Sequence, residues 1–230
     1  MGRVAAMDAI TLLKNDHKTV NELFKKFEKA GDNAHKTKAK LVEQIIHELA
    51  IHAAVEEVAF YPFIKGASDA LTDDVLESLE EHHVVKWLLS ELEGMNPKDE
   101  RFDAKVTVLI ENVRHHVEEE EHEMFPRVRK MLSRSDLLEL GEALASAKKV
   151  APTHPHPKAP DEPPFGPIAA AVSGLIDRAR DKGREAVKRS TSRRRPATRS
   201  NGRRPTAAKA KATARKTAKT ARKAVTKARR

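Results

Sequence analysis

The chain has 230 residues, a formal net charge of +10, 39% hydrophobic residues and no cysteine. The missing cysteines exclude disulfides, thiolate zinc sites, iron–sulfur clusters and cysteine nucleophiles, and they suit a reducing cytosol. Charge is unevenly spread: residues 193–230 hold 16 lysines and arginines and no acidic residue, which leaves −6 on residues 1–192.

The opening stretch, MGRVAAMDAI, has no apolar run of signal-peptide length, and no later stretch is apolar for long enough to cross a bilayer. Ala6 breaks the myristoylation pattern. The expectation is a soluble, cytoplasmic protein with no membrane partner. The first predicted helix covers residues 8–30 and stops at Gly31-Asp32-Asn33. The second covers 38–65 and ends at Gly66. The third covers 72–93, before Gly94, and the fourth 99–132. A shorter fifth helix, 135–149, opens on Ser135. No segment alternates with period two, and glycine and proline fall mostly between segments. Short connections favour antiparallel neighbours, so residues 8–149 are predicted to form an all-α, up-down-up-down four-helix bundle with a short fifth helix. Residues 150–167 are proline-dense and read as a linker. Residues 168–190 suit one short amphipathic helix. Residues 191–230 form an aromatic-free basic tail with too few apolar groups to offset the entropy of ordering, so disorder is expected.

Each long helix carries an apolar stripe at alternating three- and four-residue steps, the pattern of a bundle core. The first stripe runs Ile10, Leu13, His17, Val20, Phe24, Phe27. The second runs Ile45, Leu49, His52, Glu56, Ala59, Phe63. The third runs Val75, Leu79, His82, Val85, Leu89, Leu92. The fourth runs Val106, Leu109, Val113, His116, Glu120, Met124, Val128. Every helix turns a histidine inward, and two add a glutamate one turn later. His17 and His82 are 65 residues apart and His52 and His116 are 64 apart, so one helical hairpin is used twice.

Burying a carboxylate is costly unless it is paired, hydrogen-bonded or metal-bound, and two close carboxylates repel. Cations remove both difficulties. Imidazole and carboxylate without thiolate suit iron, and to a lesser degree manganese or zinc. Spacing of i, i+4 puts His52 with Glu56, and His116 with Glu120, on one helical face. Glu80-x-x-His83 and Glu119-x-x-His122 compete as ferritin-like spacings, but that scheme requires lone glutamates where His17 and His52 stand. His83, His115, Glu57, Glu121 and His122 are then neighbours that could orient metal-bound histidines. His47 reads as a plain helix residue, and His154 and His156 as solvated. Pro62 and Pro126 are expected to kink their helices.

The pattern His17 … His52-x-x-x-Glu56 … His82 … His116-x-x-x-Glu120, with its Glu-Glu and aromatic-Pro endings, resembles the hemerythrin family in its bacterial HHE cation-binding branch. The resemblance covers residues 8–145. It implies a four-helix bundle with two non-haem iron ions, Glu56 and Glu120 bridging them, His17 and His52 on one, and His82 and His116 on the other. Oxygen-carrying members have a second histidine one turn after the first on the third helix and an aspartate on the fourth; here those positions are Lys86 and Glu120. The open positions this leaves suit binding or reduction of dioxygen, nitric oxide or hydrogen peroxide, including catalase-like peroxide decomposition.

The tail is similar to the Ala/Lys-rich tails of histone-like and nucleoid proteins. Arg193, Arg194, Arg195, Arg203, Arg204, Lys209, Lys211, Arg215, Lys216, Lys219, Arg222, Lys223, Lys227, Arg229 and Arg230 are its candidate contacts to DNA or another polyanion, through phosphates rather than bases. The alternative reading of the whole chain follows: a nucleoid-associated DNA-binding protein whose helical head binds or stores metal.

Overall fold

The structure, a computed structural model, describes residues 7–157. The rest of the linker, the 168–190 segment and the basic tail with every candidate DNA contact lie outside the described residues. Among the described residues all regular structure is helical, with no strand, and no helix is long and apolar enough to cross a membrane.

Helix α1 spans Ala9–Lys29, with Asp8 as its N-cap: the Asp8 carboxylate accepts the backbone N–H of Thr11 at 3.1 Å. Such a cap stabilises a helix by about 1 kcal/mol. The second rod is α2 (His35–Val55), a π-helical turn (Glu56–Phe60) and α3 (Tyr61–Ala67). A 3-10 turn at Asp69–Leu71 leads into α4, Thr72–Glu93. The fourth rod is α5 (Phe102–Glu119), a second π-helical turn (Glu120–Met124) and α6 (Phe125–Met131). It starts later than the sequence suggests because Asp99 is used in a turn: its N–H reaches Asn96 O, and its carboxylate accepts the N–H of Asn96.

The prolines explain the π turns. Pro62 and Pro126 have no N–H, and in an α-ladder their rings would clash with the carbonyl four residues back. Each rod instead widens by one residue just upstream, where Tyr61 N–H donates to Glu56 O and Phe125 N–H to Glu120 O. The expected kink is therefore an inserted residue in the helical winding, a device found mostly at functional sites.

Two apolar clusters fill the bundle. One holds Ile10, Leu13, Val55, Phe60, Ile64, Val75, Phe125 and Val128. The other holds Val20, Phe24, Ile45, Leu49, Val85, Leu89, Leu109 and Val113. The first and third rods run from the first cluster to the second, and the second and fourth run back, so direction alternates along the chain. Between the clusters every rod crosses one polar level.

Helix α7 (Arg134–Lys148) packs on α1, α2 and the first π turn. Its start is fixed by Ser133, not Ser135: Ser133 Oγ accepts the N–H of Asp136, whose carboxylate accepts the N–H of Ser133. This reciprocal cap satisfies two N–H groups at once. Gly141 lets α7 touch the start of α1, because a Cβ there would lie 2.1 Å from Met7 O.

Candidate metal centre

His17 of α1, His52 of α2, His82 of α4 and His116 of α5 are all buried at that polar level, with Glu56 and Glu120 from the two π turns. Their Nε2 atoms point at one another. His17 and His52 stand 3.2 Å apart, and His82 and His116 3.1 Å apart. Each carboxylate reaches one imidazole of each pair. Glu56 Oε2 lies 3.1 Å from His52 Nε2 and 3.4 Å from His82 Nε2. Glu120 Oε2 lies 3.2 Å from His17 Nε2 and 3.6 Å from His116 Nε2. The six groups close a ring.

The four imidazole–carboxylate contacts lack hydrogen-bond alignment, whereas the two imidazole–imidazole contacts have it. Both oxygens of Glu56 and Oε2 of Glu120 are buried without a hydrogen-bond partner. A buried oxygen left unpaired costs several kcal/mol when ionised, so the ring fits a cation better than it fits itself. Two sets of donor atoms lie close enough to share an ion: His17, His52, Glu56 and Glu120, and Glu56, His82 and His116.

Behind each ring stands a carboxylate on Nδ1. Glu121 accepts from His17 at 2.9 Å, Glu57 from His82 at 3.1 Å and Glu81 from His116 at 2.7 Å. His52 Nδ1 stands 3.7 Å from Asp16 Oδ2, too far for a hydrogen bond, so that contact is electrostatic. With Nδ1 hydrogen-bonded on His17, His82 and His116, their Nε2 atoms are aimed at the centre, the arrangement metal-ligating histidines use. Glu57 and Glu121 are among the neighbours named from sequence; Asp16 and Glu81 are not. Lysines balance three of the four: Lys14 with Glu121 at 3.0 Å, Lys86 with Glu57 at 3.0 Å and Lys148 of α7 with Asp16 at 2.5 Å. Lys86, in the place of the carriers' additional histidine, turns to Glu57.

The protonation pattern follows from this crowding. Burial, then the charge of Glu120, pushes Glu56 well above the usual carboxylate range. Burial also acts to raise Glu120, but His116 and His17 outweigh it and hold it at about 2. Burial works against charge on His17, yet Glu120 and Glu121 raise it to about 9. Burial lowers His52 to about 4 and lowers His82, while Glu120 and Glu81 overcome burial to raise His116. Without a cation, His17 carries the proton of its pair at neutral pH, and in the other pair His116 is easier to protonate than His82.

Tyr61, the first residue after the first π turn, was not singled out from sequence. Its hydroxyl donates to Glu120 Oε1 at 2.9 Å and lies 3.4 Å from His82 Nε2. At the matching place in the fourth rod, Phe125 stacks on the His17 ring at 5.8 Å. A cavity of about 20 Å³ touches all four imidazoles and is otherwise lined by Val20, Leu49, Ala53, Val85, Val113 and Val117. It has the room of about one water molecule. A groove of about 470 Å³ outside, between α1 and α5, shares His17, Val20, Val113 and Val117 with it. These side chains separate the imidazoles from solvent.

The other named residues stand apart. His47, His83, His115 and His122 are exposed, and His122 Nδ1 donates to the carbonyl of Glu118 on its own helix. Glu80 and Glu119 also face outward. The ferritin-like spacings therefore do not meet in the core. His156 is exposed, and His154, exposed too, pairs with Glu93 at 2.5 Å instead of being simply solvated.

Fold and site together define a helical-bundle protein with a buried imidazole–carboxylate cluster built to hold metal. Residues 8–128 match the family model of the hemerythrin HHE cation binding domain. The chain belongs to that family. A hemerythrin-like protein of Schizosaccharomyces pombe is 30% identical over 167 residues, covering 72% of this chain and 81% of that protein. A DNA nickase of Nostoc is 29% identical over 130 residues, 55% of this chain and 35% of that protein. The crystal structure of a hemerythrin HHE cation binding domain-containing protein from Mycobacterium kansasii superposes with a TM-score of 0.53 at 23% identity, over 80% of this chain and 99% of that one. That likeness is one of fold.

Proposed function

We propose that this is a non-haem di-iron protein that binds or reduces dioxygen, nitric oxide or hydrogen peroxide. The observation that carries the reading is the closed ring, in which both buried oxygens of Glu56 and the ring-facing Oε2 of Glu120 have no hydrogen-bond partner. His17 and His52 would hold one ion and His82 and His116 the other, with Glu56 and Glu120 spanning both; manganese is the alternative metal. A bound iron pair supplies the redox chemistry. The protein's own contribution is positional. Glu121, Glu57, Glu81 and Asp16 fix the imidazoles, and the Tyr61 hydroxyl holds a proton beside Glu120 and His82. The small apolar cavity leaves room for a molecule of about the size of water next to the imidazoles. Metal analysis and optical absorption of the purified full-length protein test this: two irons per chain and near-ultraviolet ligand-to-metal absorption are expected. A folded protein that stays free of iron after expression in iron-replete medium refutes it.

A second reading places this unit on DNA. The basic tail and the similarity to a protein named a DNA nickase favour it. Ending the chain after Ser190 should abolish DNA binding, whose affinity in the full chain falls steeply with salt, and should leave iron content unchanged. DNA binding that survives the truncation refutes the role of the tail.

A further inference from the structure

The bundle is internally repeated, and its orienting carboxylates repeat with it. Asp16 precedes His17 as Glu81 precedes His82, and Glu57 and Glu121 follow Glu56 and Glu120. Asp16 and Glu81 are thus equivalent, each facing the histidine of the next rod in its own hairpin. Their surroundings differ. Helix α7 covers the first hairpin, and its Lys148 neutralises Asp16. Glu121 and Glu57 also have lysines. Among the described residues no lysine or arginine lies within ion-pair distance of Glu81.

What faces Glu81 instead is another His-x-x-x-Glu, one residue out of step with the buried one. His115 Nε2 lies 3.9 Å from Glu81 Oε1 and 3.3 Å from Glu119 Oε1. One donor atom from each of Glu81, His115 and Glu119 lies within 4.8 Å of the others, close enough to share one ion. Glu77 and Glu123 add negative charge around Glu119. Spacing of i, i+4 lets His115 and Glu119 chelate from one helix while Glu81 closes the site from α4.

We propose that Glu81, His115 and Glu119 form a surface site for one divalent transition-metal cation, which does for Glu81 what Lys148 does for Asp16. One imidazole and two carboxylates suit zinc, ferrous iron or manganese, with solvent filling the remaining positions. Glu81 Oε2 already accepts from His116, so Oε1 is the oxygen left for the ion. The site shares Glu81 with the buried ring through His116 but uses none of the ring's six side chains.

The test uses the full-length protein as purified, with its metal content measured before and after. Zinc is titrated calorimetrically into wild type and into His115→Ala and Glu119→Gln, one exposed and one half-exposed position outside the apolar core. Wild type should bind one zinc equivalent more than either variant, with buried metal content equal in all three. Equal zinc stoichiometry and affinity in wild type and both variants overturns the site. A wild type that lacks buried metal but still binds the additional zinc supports this site and refutes the di-iron reading.

Discussion

Filling the ring requires protons to leave it, and the number that leave at neutral pH follows from the structure. In the metal-free chain His17 is held at about 9 against burial by Glu120 and Glu121, so at pH 7 about 99% of it is protonated. A cation needs the Nε2 lone pair, so this proton must go, at a cost of about 3 kcal/mol at pH 7. Glu56, raised by burial and by Glu120, and His116, raised by Glu120 and Glu81 against burial, are shifted in the same sense, toward the protonated form that a cation displaces. Adding ferrous iron anaerobically to lightly buffered metal-free protein at pH 7 should release at least about one proton per chain, that of His17, read with an indicator dye. The sign is fixed: the empty ring binds more protons than the filled one, so metal affinity rises with pH. His17 alone makes it rise by about tenfold per unit between pH 7 and 8. Release of less than one proton, or an affinity flat across that interval, refutes the argument.

The same linkage governs the metal-free fold. His17 is raised above its unfolded value, so its stabilising effect is complete below about pH 6.5 and is lost as pH rises through about 9; the metal-free melting temperature should fall across that window and the iron-loaded one should not. Glu56→Gln should abolish stable iron loading while far-ultraviolet circular dichroism stays unchanged, because it removes a buried carboxylate whose two oxygens have no donor. Val117→Phe, which adds bulk to the wall between groove and cavity, should slow azide or nitric oxide binding to the loaded protein without changing iron content. Gly141→Ala should lower the urea midpoint, with a net loss of stability of up to about 2 kcal/mol, since overpacking against Met7 costs about 1 to 3 kcal/mol and the gain in helix propensity offsets about 1.

The helical seam was plain in the amino-acid order because core stripes tolerate few polar residues, and four histidines and two glutamates at stripe positions stand out. Asp16 and Glu81 were harder to see. Each sits one residue off the stripe, where acidic residues on solvated faces are common, and each acts on a histidine of another rod. The repeat did hold a clue, because both acids directly precede a stripe histidine. The π turns were hidden for a different reason. A proline announces that the α-ladder fails, but whether the rod bends or takes in an extra residue depends on which arrangement lets the next side chains pack. Tyr61 belongs to that same uncertainty: its hydroxyl reaches Glu120 only because the widened turn carries it there. The 168–190 segment and the tail lie outside the described residues, and their sequence-based expectations stand as expectations.

The exchange of Tyr61 for Phe125 between otherwise equivalent rods carries its own consequence. The two halves of the bundle present matching berths, yet one is bordered by a phenol and the other by a bare benzene ring. A guest lodged between them meets a proton on its His82 flank and hydrocarbon on its His17 flank. A single oxygen atom therefore gives the molecule a left and a right hand, and any reaction it hosts starts with a direction.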